Sequence, residues 1–526
     1  MWGRKEHTVW LYLFYGLLMI GIIQNKHSMH IDEVFSYGLA NCQNGVYIHV
    51  EDGYTYCPAD IPWIRYMTTD EENRFDYVNV WLNQMRDVHP PFYYFLLHTI
   101  CSFFPGRFSI WHAGLINIMS GMGILFYMRK LILLLTGDKK IRNLISIVFI
   151  CSTGNLSAVA FLRMYMLAML WVTVLTYLLI RQLIDPVPKG FYGKWCVIMV
   201  CASLTHYYCI VYSFFLCTTY AYILFFIKKN RNDVKRIVLA QGVSLMAAVL
   251  IFWPMICHVL FSSRGRESIL NLTNFLKDGV DRISAYFEIL NRELWGGVFI
   301  YVLCVVILSA VINKYRDHSA YTKQELLASA PKWLCIGVPV ILYFLLISVT
   351  ASFISDRYMF PMYAVLFLTA NSAFSLLLKR ITKKHYIFII TISLVIMTVN
   401  GWNGRNIEYL YEDRKPLLDT VSTYTDTDCI FIYDKNKPWE LNSVYHEIAG
   451  FDNVTFFDKQ NLSILGDSEL LLEDHLLLVI ASSEGLDRDD SEMIDSILSY
   501  CSDIDLYKYL GGFEYTKTYY LYSSHK

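Results

Sequence analysis

Residues 195–236 read WCVIMVCASLTHYYCIVYSFFLCTTYAYILFFIKKNRNDVKR. Two apolar runs, 195–204 and 208–227, flank the turn His206-Tyr207-Tyr208. The second run ends in Lys228, Lys229, Arg231, Lys235 and Arg236. A membrane span needs roughly 20 mostly apolar residues to cross a hydrocarbon core of about 30 Å. Lys and Arg in short loops mark the cytoplasmic side. The stretch therefore reads as two spans, the first of them short, with the histidine turn outside and the basic loop inside.

The same alternation runs along the chain. Further apolar stretches lie at 8–23, 110–135, 141–159, 165–183, 237–260, 294–312, 333–351, 358–378 and 386–399, making about 11 spans in all. Four more basic loops, opened by Arg129, Arg181, Lys314 and Lys379, fall on the same side as Arg4 and Lys5. The N-terminus is then cytoplasmic. The apolar piece 90–105 would break the alternation if it spanned, so it reads as interfacial or re-entrant. Composition agrees with a membrane protein: 55% of the 526 residues are hydrophobic and 17% charged, against about 45–50% and about 25% in soluble chains.

The net charge of -1 conceals a regional split. Residues 26–91 carry four basic and ten acidic side chains, a balance of -6, and residues 402–526 carry a balance of -14. The rest, at +19, is the basic, apolar frame. Two domains are expected: 1–401, a transmembrane domain with a long first outer loop at 24–109, and 402–526, an extracytoplasmic α/β domain. In the latter, 429–434, 454–458 and 476–482 have strand character, 491–500 has helical spacing, and 506–522 resembles a hairpin around Gly511-Gly512. The pairs Cys42/Cys57 and Cys429/Cys501 are each candidates for a disulfide, which spacing alone does not decide.

Several polar groups sit where spans should emerge outside. The first loop opens with His30-Ile31-Asp32-Glu33 and closes with His89-Pro90-Pro91-Phe92-Tyr93-Tyr94. Paired acids at a membrane boundary suit general-base, metal or hydrogen-bond roles, although taken alone this pair reads more readily as a solvated loop end. The two prolines fix two φ angles and hold His89 rigidly. Arg163 and Tyr165, His206, and Asp356-Arg357-Tyr358 fall at later outer turns. Any single arginine there suits snorkelling to headgroups. An acid pair and two arginines on one face suit a substrate that carries a phosphate.

The ordered set formed by Asp32-Glu33, His89 to Tyr94, Arg163-Met164-Tyr165 and Arg357-Tyr358-Met359-Phe360-Pro361 resembles glycosyltransferase family 39, of the GT-C membrane glycosyltransferases. This group includes the protein O-mannosyltransferases and aminoarabinose transferases, and the similarity covers roughly 10–378. The resemblance implies the GT-C fold and transfer of a sugar from a polyprenyl-phosphate donor to an acceptor hydroxyl on the outer face of the cell membrane, with inversion. The acceptor would be a protein, a lipid or a cell-envelope polymer, and no nucleic acid is involved. It implies Asp32 as the base, Glu33 positioning the acceptor or supporting a metal, Arg163 and Arg357 neutralising the departing lipid phosphate, and His89, Tyr165, His206 and Tyr358 lining the substrate site. It implies no definite cofactor, and a divalent cation is an option. One departure bears on it: family members resemble a Glu-x-Arg-x-Tyr pattern, but Phe161 stands two residues before Arg163. The second carboxylate is missing, and with it support for a metal. The alternatives are a lipid-linked oligosaccharide ligase or other GT-C transferase, a transporter or flippase, and a receptor or scaffold. A transporter would keep its ionisable groups near the midplane on broken helices, with internal repeats, and no repeat is visible.

Overall fold

The computed structural model describes residues 6–524, except 44, 58–59, 61, 301–303, 305–306, 308–310, 312–322, 383–384, 404–406, 425, 444–450, 452, 469–472 and 502. The chain forms two compact units that do not follow chain order. One comprises Met1–Gln24, Val88–Tyr93 and Ala113–Glu408; the other comprises Asn25–Asp87, Tyr94–His112 and Tyr409–Lys526.

The first unit is a multi-pass helical assembly. Among the described residues, six helices are long and apolar enough to cross a membrane: Ile110–Thr136, Tyr165–Gln182, Tyr207–Ile227, Arg231–Ile251, Ser329–Thr350 and Phe360–Lys379. Three shorter apolar helices, Val9–Gln24, Phe191–Ser203 and Tyr386–Trp402, accompany them. Tyr165–Gln182 is mostly buried, whereas Arg231–Ile251 exposes Val238, Leu239, Met246 and Leu250, as a helix facing lipid tails does. Nine of the 19 residues of the span expected at 294–312 lie outside the described residues, and Leu294 belongs to an amphipathic helix, Phe275–Trp295.

Two expected spans are interrupted. The 141–159 run is Lys139–Ile150 followed by Thr153–Ala160, bent by 52°. Ser152 caps the second helix, its Oγ accepting from Asn155 N at 3.3 Å. A side chain that can cap a helix start favours a new helix there over continuation of the old one. The pair counts as at most a seventh, broken span. The 237–260 run stops at Ile251, and Pro254 starts a separate helix, Pro254–Phe261; proline lacks the N–H that continuation requires. The stretch between the runs expected at 237–260 and 294–312 is helical too, as Ser263–Thr273 and Phe275–Trp295. The apolar piece near 90–105 contains the helix Phe92–Ser102, whose 11 residues are too few to span.

The second unit is built on a six-stranded sheet of β1 (Thr55–Tyr56), β2 (Cys429–Tyr433), β3 (Val454–Asp458), β4 (His475–Ala481), β5 (Leu506–Phe513) and β6 (Thr516–Tyr522), in the order β1-β3-β2-β4-β6-β5. β2 pairs in parallel with β3 and β4, and the remaining pairs are antiparallel. Unbroken apolar runs such as Cys429-Ile430-Phe431-Ile432-Tyr433 mark parallel strands covered on both faces, and every residue of β2 and β3 is buried. Ile430, Ile432, Leu478 and Ile480 pack with Ile494 and Ile497 of the helix Ser491–Leu498. β1, from the first loop, is an edge strand of this sheet.

The first-loop helices Ile31–Asn41, Pro62–Met67 and Tyr77–Arg86 pack in the same unit. Asn41 Nδ2 donates to Met67 O, Asn83 Nδ2 to Cys42 O, and the buried Trp63 Nε1 to Leu441 O at 2.9 Å. The hairpin turn falls at Glu514-Tyr515, not at Gly511-Gly512. Gly511 instead marks a bulge, with φ +150 and Leu417 packed where a Cβ would project. All thirteen cysteines are free, including both candidate pairs.

Candidate active site

In the helical unit the polar residues gather at helix starts and turns. Arg163 lies in the turn between Thr153–Ala160 and Tyr165–Gln182 and is 3% exposed. That turn is held from neighbouring segments: Asn117 Nδ2 donates to Val159 O and Phe161 O, and Tyr93 Oη donates to Leu162 O at 2.9 Å. Tyr93 thus ties the His89-Pro90-Pro91 segment to the arginine turn. Phe161, at the place of the missing acid, stacks on Tyr165 at 5.5 Å.

His206 caps the start of the helix Tyr207–Tyr222, its Nδ1 accepting from Tyr208 N at 3.1 Å. An Nδ1 that accepts leaves the ring proton on Nε2. Burial, then His89 and Arg163, push the imidazole well below its ordinary range. It is therefore a neutral N–H donor at physiological pH. Its ring lies 5.3 Å from Tyr165, 6.3 Å from His89 and 4.7 Å from Tyr208. Tyr208 reaches Tyr358 at 5.8 Å, and the Arg357 guanidinium lies 5.5 Å from the Tyr358 ring. Tyr343 Oη fixes this turn by donating to Tyr358 O. His89, Arg163, Tyr165, His206, Arg357 and Tyr358 thus form one cluster of cationic and N–H donors on aromatic walls. Such a cluster can bind a phosphate through charge-assisted hydrogen bonds.

A buried acid adjoins it that sequence reading did not single out. Glu293 accepts from Tyr363 Oη at 2.6 Å and pairs with Arg292 at 3.2 Å. Its only sequence signal is an Arg-Glu pair at the edge of an apolar stretch. Gly154 is required beside it, since a Cβ there would meet Tyr363 Cε2 at 2.8 Å and Glu293 Cβ at 2.9 Å. Burial, then Asp356, push the Glu293 carboxyl up to about 8. The folded group holds its proton to about 8, while its ordinary value is 4.5. The folded state binds more protons in that window, so stability falls as pH rises through it. Glu293→Gln is expected to flatten the decline of the unfolding midpoint between roughly pH 5 and pH 8. An equal decline in the variant would show that the carboxyl does not cause it.

Asp32 and Glu33 lie in the second unit, at the start of the helix Ile31–Asn41. His30 is the N-cap: its Nδ1 accepts from Asp32 N at 3.0 Å, and its own N donates to Glu33 Oε2 at 2.6 Å. This reciprocal arrangement is a capping box. Glu33 is fully buried and pairs with the equally buried Lys26 at 3.0 Å. Its carboxylate is thus occupied by an ammonium and a backbone amide, a donor set unlike that of a metal site. Among the described residues no three His, Cys, Asp or Glu side chains converge as metal ligands. The Asp32 side chain is 27% exposed, with Oδ2 at 3.7 Å from His30 Nδ1. Sequence reading also missed Lys26, Arg414 and Glu514 around this helix start, because they come from distant chain segments with no shared motif.

No protein-family model and no curated protein matches the sequence. The architecture matches crystal structures of ArnT from Cupriavidus metallidurans, bound to undecaprenyl phosphate (10% identity) and in the apo state (11% identity). In both, 98% of each chain is covered at a TM-score of 0.52. The chain has the GT-C fold. A similarity to archaeal AglB from Archaeoglobus fulgidus, in complex with an inhibitory peptide and a dolichol-phosphate, covers 91% of this chain and 70% of that one, at 8% identity and a TM-score of 0.45. In this GT-C chain the cationic cluster occupies turns of the helical unit, and the paired acids occupy the unit that carries the sheet.

Proposed function

We propose that the chain is a membrane glycosyltransferase that moves a sugar from a polyprenyl-phosphate donor to an acceptor hydroxyl on the outer face, with inversion. The observation that carries this reading is the gathering of Arg163, Arg357 and the neutral N–H donor His206 in a GT-C helical unit. The undecaprenyl phosphate in the ArnT structure supports the donor class. The N-terminus is cytoplasmic in this reading and both acidic blocks are outside, following the basic loops.

Inversion is a single displacement. Asp32 removes the acceptor's proton, the acceptor oxygen bonds to the anomeric carbon, and the bond to the lipid phosphate breaks with its electron pair on the phosphate. Arg163 and Arg357 meet the charge that develops there, an electrostatic role that depends on fixed donors. Glu33 acts through His30, holding the helix start that presents Asp32. One essential carboxylate is enough, unlike the paired acids of most glycoside hydrolases.

Arg163→Ala tests the phosphate assignment. It is expected to raise the apparent KM for radiolabelled polyprenyl-phosphate sugar by about 10-fold or more, from the loss of a charge-assisted contact, with a smaller change in acceptor KM. Equal effects on both substrates would count against the assignment.

A further inference from the structure

We propose that Glu514 is a positioning residue for Asp32, so that the C-terminal α/β domain supplies part of the acceptor-activating apparatus. The inference rests on the reading of Asp32 as base. Glu514 occupies the β5–β6 turn, and its carboxylate lies beside His30, the N-cap of the Asp32 helix.

The same carboxylate faces His30, with Oε1 at 3.9 Å from Nε2. His30 Nδ1 accepts from Asp32 N and lies 3.7 Å from Asp32 Oδ2. One imidazole therefore stands between two carboxylates. Because Nδ1 accepts, the ring proton is on Nε2, the nitrogen turned to Glu514. A neighbouring cation completes the arrangement: the Arg414 guanidinium lies 3.4 Å from the Phe513 ring centroid, and its Nη1 donates to Ser28 Oγ at 2.6 Å.

Capping alone does not require this construction. The helix already has a capping box from its own residues, and a short polar side chain serves most helix starts. Here a carboxylate is brought in from a hairpin, its side chain 15% exposed, with a buried Oε2 that lacks a hydrogen-bond partner among the described residues. Three of the five described non-glycine residues with positive φ, namely Tyr409, Tyr411 and Glu514, surround the site. His30 packs edge-on to Tyr409, Lys26 lies 5.2 Å from the Tyr411 ring, and Tyr411 packs on Phe513. Residues in such conformations persist only where their surroundings over-determine them, and they gather at functional sites.

The test uses the full-length protein in detergent and follows free polyprenyl phosphate released from a phosphate-radiolabelled lipid extract of the source membranes. Glu514→Gln keeps the side-chain shape and removes the charge beside His30. It is expected to lower kcat by about 10-fold or more, with the apparent KM for the extract within about twofold and the unfolding midpoint unchanged. Glu514→Asp, which keeps the charge, should recover part of the rate. Wild-type kcat in Glu514→Gln, or a loss in Glu514→Ala that only follows its unfolding midpoint, would reduce Glu514 to a cap and overturn the proposal. Asp32→Asn run alongside separates the two readings. Wild-type rate in that variant overturns the base assignment whatever Glu514→Gln does.

Discussion

Asp32→Asn is expected to lower sugar transfer by at least about 10²-fold while leaving the protein folded, since a positioned general base contributes roughly 10²–10⁴-fold. The local structure makes this substitution clean. The helix start is secured by His30 and Glu33, to which Asp32 contributes its backbone N–H. An asparagine keeps that N–H and the side-chain shape and loses only basicity. The stability cost is limited to one favourable charge at a helix N-terminus, about 0.3–1 kcal/mol. The measurement is transfer from radiolabelled membrane lipid at matched expression, together with the unfolding midpoint. Wild-type transfer would remove Asp32 from the mechanism, and a collapsed midpoint would mean that its carboxylate is structural.

The second large effect is on stability. Lys26→Met is expected to destabilise the sheet-bearing unit by about 3–5 kcal/mol, the usual result of leaving one half of a buried ion pair alone. The Lys26 and Glu33 side chains are 1% and 0% exposed. Burial pulls the Lys26 ammonium below its ordinary range, and Glu33 opposes that shift. Without Lys26, Glu33 loses this ammonium partner and retains the His30 amide at 2.6 Å, and Tyr409 O loses its 2.5 Å donor. The double variant Lys26→Met, Glu33→Leu removes both charges and should be less destabilised than Lys26→Met alone, although it also loses half of the capping box. Thermal unfolding followed with a thiol-reactive dye suits the question, since Cys42, Cys101 and Cys429 are buried and free in this unit. A single-variant loss below about 1 kcal/mol would place the pair in effectively screened surroundings.

Much of the fold is legible in the sequence because lipid makes a severe demand: long apolar runs and basic loops are required wherever the chain crosses. The α/β character of the C-terminal block is legible for a related reason, since strands buried on both faces, such as β2, must be apolar throughout. What escapes is set by single residues and by distance along the chain. Apolar count alone hides the breaks at Ser152 and Pro254. The β5–β6 turn is misplaced because two glycines outweigh Glu514, yet Gly511 serves a bulge and Glu514 adopts φ 49. Candidate residues at predicted outer turns, such as His206, Arg163 and Arg357, could be named from order and sidedness. Their shared aromatic walls, Tyr208 and Tyr343, could not, because tyrosines are abundant in the spans. The Lys26, Arg414 and Glu514 surroundings of Asp32 depend on pairings that no local pattern announces.

The joining of β1 to β3 carries a consequence for biosynthesis. Thr55 and Thr455 bond side chain to side chain across 400 positions, so the unit that holds Asp32 is assembled from segments made early and late in the chain. At roughly 5–20 residues per second, the helices between them take tens of seconds to synthesise. During that interval the His30 helix lacks Glu514, and Lys26 lacks the Tyr409 carbonyl. A nascent chain at this stage carries Asp32 without these partners. The surroundings of Asp32 are then completed only after the β5–β6 segment has been made.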